Sequence, residues 1–269
     1  MKGEKISVIT ISYNSESTIR NTIESVLSQT YRPLEYVIVD GRSSDKTEEI
    51  IMSYRARLIN SGIEFSYKSE SDKGISDAFN KGIKRATGTI IGIINSDDQL
   101  AEDALTVIAE SFDASVDVVC GDCLWIDKAN KIEYIRKSKM DLNKLKYRMV
   151  LMHPTCFVRK KAYDIYGTFD INLKCVMDKD LLARFYKSGA KFKYVPSVLA
   201  IMSAGGVSDL NSQKVIEEGI EVAIKNGAPR FWVLARFSIL AQKHKIIAWM
   251  KNNTKLWYLI KKGSKADDS

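Results

Sequence analysis

No stretch of the 269 residues stays apolar for the roughly 18 consecutive positions that suggest a membrane-crossing helix, so a bilayer-spanning chain is not expected. Met1-Lys2-Gly3-Glu4-Lys5 leads into a strand pattern rather than a signal-peptide core, and the expected location is cytoplasmic. Cysteine is scarce. Cys120, Cys123, Cys156 and Cys175 are too few and too scattered for a disulfide scaffold. Cys120 and Cys123 form a C-x-x-C with no second pair, and the two histidines, His153 and His244, lack zinc-site spacing. Internal repeats and low-complexity segments are absent as well.

What is present is a globular composition, 45% hydrophobic, with a charge that is unevenly placed. The net charge of +8 resides in residues 222–269, which hold ten Lys or Arg and two acids, Asp267 and Asp268; residues 1–221 are balanced. Phe231, Trp232, Phe237, Trp249, Trp257 and Tyr258 are interleaved with those cations. Basic helices carrying aromatic residues suit an anionic membrane surface, and residues 229–262 are the expected contact. A helical appendage packed on the rest of the chain is the plainer alternative. Nucleic acid is not an expected partner, because no recognition module accompanies the charge.

The first hundred residues alternate strand and helix signals, the pattern of an α/β domain with a mostly parallel sheet. Strands are expected over 6–11, 35–39, 64–67 and 89–94, with helices over 17–28, 46–60 and 76–86 between them. Short strands then cover 116–136, with a turn at 128–131. A helix near 142–149, a strand over 155–158 and a helix over 178–188 follow. Beyond Gly205-Gly206 the character is helical: 211–226, then a longer helix opened by Pro229, with the composition break at 227–229.

Three constellations of loop residues carry candidate chemistry. Asn95-Ser96-Asp97-Asp98 ends a buried strand, and adjacent aspartates at the carboxyl edge of an open sheet suit Mg²⁺ or Mn²⁺ shared with substrate phosphates. A helix cap by Asp98 explains the same residues equally well. Ser12-Tyr13-Asn14 closes the first strand and Asp40-Gly41-Arg42-Ser43-Ser44-Asp45 the second. Tyr13 offers a face for a base and Asp40 an acceptor for an imide N–H, although Asp-Gly and Ser-Ser-Asp are also ordinary turn formers. The third loop, Ser71 to Ile83, can present helix-start N–H groups and Lys73 or Lys81 to phosphate, but it lacks Walker spacing.

The order of these motifs, with Gly74-Ile75-Ser76-Asp77-Ala78 and Asn80-Lys81-Gly82 in the third, resembles the family 2 glycosyltransferases, bacterial polysaccharide enzymes above all. The resemblance continues through His153-Pro154, Gly167-Thr168-Phe169-Asp170 and Met177-Asp178-Lys179-Asp180. It implies an α/β GT-A (Rossmann-like) fold, a mixed and mostly parallel sheet flanked by helices, over residues 1–210, with a helical basic region over 211–269. It implies nucleotide binding by Ser12, Tyr13, Asn14, Asp40, Lys73, Gly74, Asn80 and Asp97, and a divalent metal, Mn²⁺ or Mg²⁺, at Asp98 and Asp97. Asn95 stands where many relatives place another aspartate. Asp178 corresponds to the catalytic base, with Asp180 as the second choice, and Gly205 to Ser208 resembles a segment that some relatives fold over the donor, a plain loop being the equal alternative.

The function so implied is inverting transfer of a sugar from a nucleotide sugar, UDP-sugar by preference, to a glycan or lipid-linked acceptor at the inner face of the plasma membrane. Two alternatives use similar residues. A nucleotidyltransferase would carry a Gly-rich N-terminal loop with Arg and Lys, where this chain has Ile9-Thr10-Ile11-Ser12-Tyr13-Asn14. A non-catalytic sugar-nucleotide or membrane-binding subunit would retain the fold without turnover.

Overall fold

Four β-branched runs build the half of the molecule that positions the site. The structure, a computed structural model, describes residues 3–127, 130–203, 212–239 and 242. Strands β1 (Ile6–Ser12), β2 (Leu34–Asp40), β3 (Ile63–Ser69) and β4 (Ile90–Ile93) are parallel, in spatial order β3-β2-β1-β4. Helices α1 (Ile19–Leu27), α2 (Thr47–Ser53), α3 (Arg55–Asn60) and α4 (Ile75–Arg85) make the crossovers. Because β2 and β4 lie on opposite sides of β1, the strand order reverses there, and the loops after β1 and β4 open a crevice at the carboxyl edge.

The sheet continues from β4 through β8 (Phe157–Arg159), β6 (Val118–Asp127), β9 (Phe192–Ser203) and β5 (Gln99–Leu100), with β7 (Ile132–Arg136) paired to β6 as a hairpin. β8 is antiparallel to both β4 and β6, so the sheet is mixed. Alternate residues of the central strands enter two cores. Ile9, Val37, Val39, Ile91 and Ile93 pack with α4 and α7 (Met177–Lys187) on one face. Val8, Tyr36, Ile38 and Ile90 pack with α1, α3 and α5 (Ala104–Ser111) on the other. Burial on both faces is why these strands read as unbroken apolar runs.

The structure departs from the sequence pattern where local and tertiary demands compete. The helix expected over 46–60 is two helices. Tyr54 divides them, donating its backbone N–H to Ile51 in a tightened turn and its buried hydroxyl to Glu24 of α1 at 2.7 Å. The expected helix over 142–149 is a single 3-10 turn, Leu142–Lys144, because the chain must straighten for Val150 and Leu151 to enter the core. Lys139 N–H then bonds Val150 O at 2.8 Å. The strand expected over 155–158 starts at Phe157, after a 3-10 turn over His153–Thr155. Helix α6 (Lys160–Tyr166) and strand β9 carry no clear sequence signal: α6 has seven residues, and β9 contains Pro196. Pro196 is tolerated because the β6–β9 register shifts there, Cys120 facing Tyr194 but Asp122 facing Val198.

Helix α8 (Ser212–Lys225) and a further helix, α9, over 230–239 follow. Val222 joins the core beneath α7, while Val233 and Phe237 close a small cluster with Ala223 and Ala228.

Gly92 of β4 sits opposite Phe157 of β8, and a Cβ there would lie 2.2 Å from the ring. Gly92→Ala should lower unfolding stability by about 1–3 kcal/mol through overpacking. Urea denaturation checks this, and an unchanged midpoint would contradict the packing.

Candidate functional site

The carboxyl-edge crevice is a cleft of about 1070 Å³. Its floor is set by hydrogen bonds between loops that are distant in sequence. The Ser15 and Ser96 hydroxyls meet at 2.8 Å, joining the loop after β1 to the loop after β4. Thr22 of α1 donates to Asp98 O at 2.7 Å, holding the second loop from below. Asn14 adopts φ +47°, a left-handed conformation that asparagine tolerates, and its side-chain oxygen accepts the Ser44 N–H at 2.8 Å. Ser12, Tyr13 and Asn14 all line the cleft, with Tyr13 65% exposed and its ring free for a flat partner.

Asp40 lies beneath this wall rather than in it. It is fully buried, and its oxygens accept from Ser12 Oγ, Ser43 N, Ser43 Oγ and Ser69 Oγ at 2.5–3.0 Å. With these four bonds the carboxylate organises the loops and leaves no acceptor site facing the cleft. Asn80 and Lys73 are likewise outside the lining. Both ends of the Asn80 amide hold the backbone of Phe169, at 2.9 Å each. Lys73 is exposed and contributes backbone groups, its N–H donating to Asp77 at 2.9 Å. Gly74, at φ +113°, does line the cleft, and its N–H donates to Asp72 at 2.7 Å.

Asp97 and Asp98 stand at the inner end. Asp98 is 3% exposed, and burial with the adjacent Asp97 carboxylate pushes its carboxyl well above the usual carboxylate range. Burial raises Asp97 as well. The opposing influences on Asp98 are an Asn95 side-chain amide at 3.2 Å and the Ser203 N–H, both neutral donors. Among the described residues no cation pairs with either aspartate. Two neighbouring, desolvated and uncompensated carboxylates fit a hard divalent ion that keeps other positions for water and phosphate oxygen. Among the described residues there is no group of three or more His, Cys, Asp or Glu able to hold a metal alone.

Asp178 enters from the first turn of α7, half-buried and lining the cleft, its carboxylate accepting the Lys179 N–H at 2.7 Å. The approach to α7 is fastened by Glu218 of α8, whose carboxylate accepts the N–H groups of Lys174, Cys175 and Val176 at 2.8–3.2 Å. Asp180 points away. It is fully buried, bonded to Arg184 at 2.7 Å and 3.7 Å from Lys225, which makes it structural. His153 lines the cleft among Phe79 and Phe169, and burial holds its imidazole below the ordinary histidine range against the opposing Asp178 charge.

Asp72, from the Ser71–Ile83 loop, lines the cleft as well and approaches so closely that a Cβ on Gly41 would sit 2.7 Å from its carboxylate. Three further lining residues, Lys174, Trp125 and Arg136, lie outside the sequence motifs. Lys174 reaches over Gly74 and donates to Lys73 O. Trp125 and Arg136, from the β6–β7 hairpin, also line the cleft, with the guanidinium 4.9 Å from the indole centre. No sequence motif marks Lys174, Trp125 or Arg136. The segment from Gly205 to Ser208, expected to cover the donor, lies outside the described residues.

The raised Asp98 carboxyl makes a signed prediction. A group whose folded-state pKa exceeds its unfolded value opposes folding once pH rises above the unfolded value, about 3.9. The penalty is absent in acid and grows toward neutrality. Asp98→Asn, with the Asn95 amide turned to accept, should therefore melt higher than the parent at neutral pH in chelator, the gain vanishing near pH 4. An equal or lower neutral-pH melting temperature would contradict the desolvation argument.

The model of "Glycosyl transferase family 2" matches residues 7–167. An uncharacterized glycosyltransferase of Rickettsia typhi is 28% identical over 193 residues, 68% of this chain and 58% of the relative, so the chain spans little more than half of that protein's length. Residues 1-349 of TarS of S. aureus, solved in complex with UDP-GlcNAc, superimpose with a TM-score of 0.64 at 20% identity, covering 87% of this chain and 71% of that TarS chain. The mannosyltransferase PcManGT of Pyrobaculum calidifontis, in complex with GDP-Man and Mn²⁺, gives 0.65 at 18% identity, covering 88% and 70%. The mixed, mostly parallel sheet flanked by helices is thus that of GT-A proteins such as TarS, and with the family model matching well over half of its length the chain belongs to glycosyl transferase family 2.

Proposed function

We propose that this chain is an inverting glycosyltransferase of polysaccharide biosynthesis, moving a sugar from a nucleotide sugar, UDP-sugar by preference, to a hydroxyl of a glycan or lipid-linked acceptor. The observation that carries the reading is that Tyr13, the Asp97–Asp98 pair and Asp178 open into one cleft. Tyr13 offers its face to the base, and Ser12 and Asn14 border the same wall. Asp97 and Asp98 would hold Mn²⁺ or Mg²⁺, which when bound supplies positive charge to the leaving diphosphate.

Asp178 takes the acceptor proton. The acceptor oxygen forms a bond to the anomeric carbon as the bond from that carbon to the phosphate oxygen breaks; the proton passes to the Asp178 carboxylate, and nucleoside diphosphate leaves. A single displacement of this kind inverts the anomeric centre. His153, kept neutral by burial, can accept or donate one hydrogen bond beside Asp178 without adding positive charge there. Lys174, on the nucleotide side, adds a cation near the leaving group.

The same reading places the chain on an anionic membrane surface. On α9, Phe231, Trp232 and Ile239 are 73%, 64% and 67% exposed, with Arg230 and Arg236 exposed beside them. No acid occurs from 222 to 266, which complements an anionic lipid headgroup. The rest of the expected contact, residues 240–262, lies outside the described residues apart from position 242.

Asp178→Asn should keep UDP affinity, read by calorimetry, and lose sugar transfer by about 10²–10⁴-fold; near-normal transfer would remove Asp178 as base. In the parent, Mn²⁺ with UDP should raise the melting temperature, an effect absent in Asp98→Asn, because a ligand selective for the folded state stabilises it. Equal shifts would remove Asp98 as ligand, and binding without any turnover in the parent would favour a non-catalytic subunit. Deleting residues 229–269 should release the protein from phosphatidylglycerol vesicles in co-sedimentation, and full retention would refute the membrane contact.

A further inference from the structure

A second, smaller cavity of about 250 Å³ adjoins the cleft and shares Arg136, Met149 and Met152 with it. Its remaining lining is Lys137, Lys139, Arg148 and Val150. Two of the shared residues adjoin named cleft residues, Arg136 through the Trp125 ring and Met152 as the chain neighbour of His153. Four cations therefore gather beside the cleft that Asp178 lines, within a stretch of chain whose larger surroundings are electrically balanced: residues 1–221 have no net charge.

The placement is built. Ser138 is buried, donating its N–H to Asp122 at 3.0 Å and its hydroxyl to Gly121 O at 2.7 Å, while its own Oγ accepts the Met152 N–H at 3.1 Å. With Ser138 turned inward, Lys137 and Lys139 on either side are exposed, and the Lys139–Val150 backbone bond brings Arg148 to the same rim. Among the described residues none of the four forms an ion pair, and the polar contact made by Arg136 is to the Trp125 ring. Like charges held together without counter-charges repel, and a polyanion removes that repulsion.

We propose that Arg136, Lys137, Lys139 and Arg148 form an acceptor-side anion site and that the acceptor carries phosphate, as a diphosphate or a row of phosphodiesters, next to its reacting hydroxyl. The proposal rests on the glycosyltransferase reading of the cleft. A neutral glycan would give these cations nothing to bind, and one carboxylate would engage one guanidinium fork. Successive phosphates match several cations at once, with Arg136 and Arg148 offering paired donors and the lysines point charges. Arg136, on the boundary of both cavities, would mark the end of the anionic stretch nearest Asp178.

The test titrates the full chain, its donor wall filled with UDP, with a glycerol-phosphate hexamer, geranyl diphosphate and neutral maltohexaose. The phosphate probes should bind and maltohexaose should not; a preference for the hexamer indicates a phosphodiester polymer, and a preference for geranyl diphosphate a lipid-linked acceptor. Lys137→Ala/Lys139→Ala/Arg148→Ala should weaken phosphate-probe binding about tenfold or more, and raised salt should narrow the difference. Absence of binding by both phosphate probes in the parent, or unchanged affinity in a triple variant with native circular dichroism, would overturn the proposal. UDP binding is measured separately, without the probes. Its failure would overturn the donor reading, while the probe titrations repeated without UDP would still decide the anion site.

Discussion

Asp40 has no solvent access, and its four accepted hydrogen bonds come from the ends of three neighbouring parallel strands or the loops that leave them. A buried carboxylate is costly to desolvate, and hydrogen bonds from Ser12, Ser43 and Ser69 offset that cost only while those residues stay in register. The register Ser12 opposite Asp40 opposite Ser69 is thereby fixed at the edge where the crevice opens. Tyr13 and Asn14 follow Ser12 directly, Gly41 admits Asp72 beside Tyr13, and the Ser15–Ser96 contact carries the alignment across to Asp97 and Asp98. The wall of the cleft that carries Ser12, Tyr13 and Asn14 inherits its geometry from this one group.

The cleft is divided electrically as well as spatially. The cleft holds two desolvated carboxylates with neutral donors to moderate them, and the cavity beside it holds four cations that form no ion pair among the described residues. Asp178 lines the same cleft from a helix start, where negative charge is favoured. Neither imbalance is efficient for stability. Departures of this kind from local balance are found at functional sites.

The parallel half of the fold is legible in the sequence because each strand is buried on both faces and each is punctuated by a polar loop, so pattern and environment agree at Ile6–Ser12, Leu34–Asp40 and Ile90–Ile93. The ordered loops also reveal Ser12, Tyr13, Gly74, the aspartate pair and Asp178 as cleft residues. Asp40 and Asn80 show the limit: the motif marks their positions, but their partners, Ser69 and the Phe169 backbone, come from tertiary structure, which turns apparent ligand groups into internal braces. Trp125 and Arg136 reach the cleft on a hairpin whose strand register no local pattern sets, and β9 hides behind a mid-strand proline. Asn95, anomalous as sequence, is intelligible in place. Its amide donates to Asp98, where an aspartate would have set a third carboxylate against a pair already short of compensation.

Glu218 gives α8 a mechanical standing. One carboxylate, grasping three consecutive backbone N–H groups just ahead of Asp178, is a rivet between α8 and the start of α7. The exposed Phe231–Trp232 face of α9 is joined to the same α8 by a four-residue link and the Val233–Phe237 cluster. Any load taken by that face is therefore delivered, through a lever of two helices, to the peptide groups that aim Asp178.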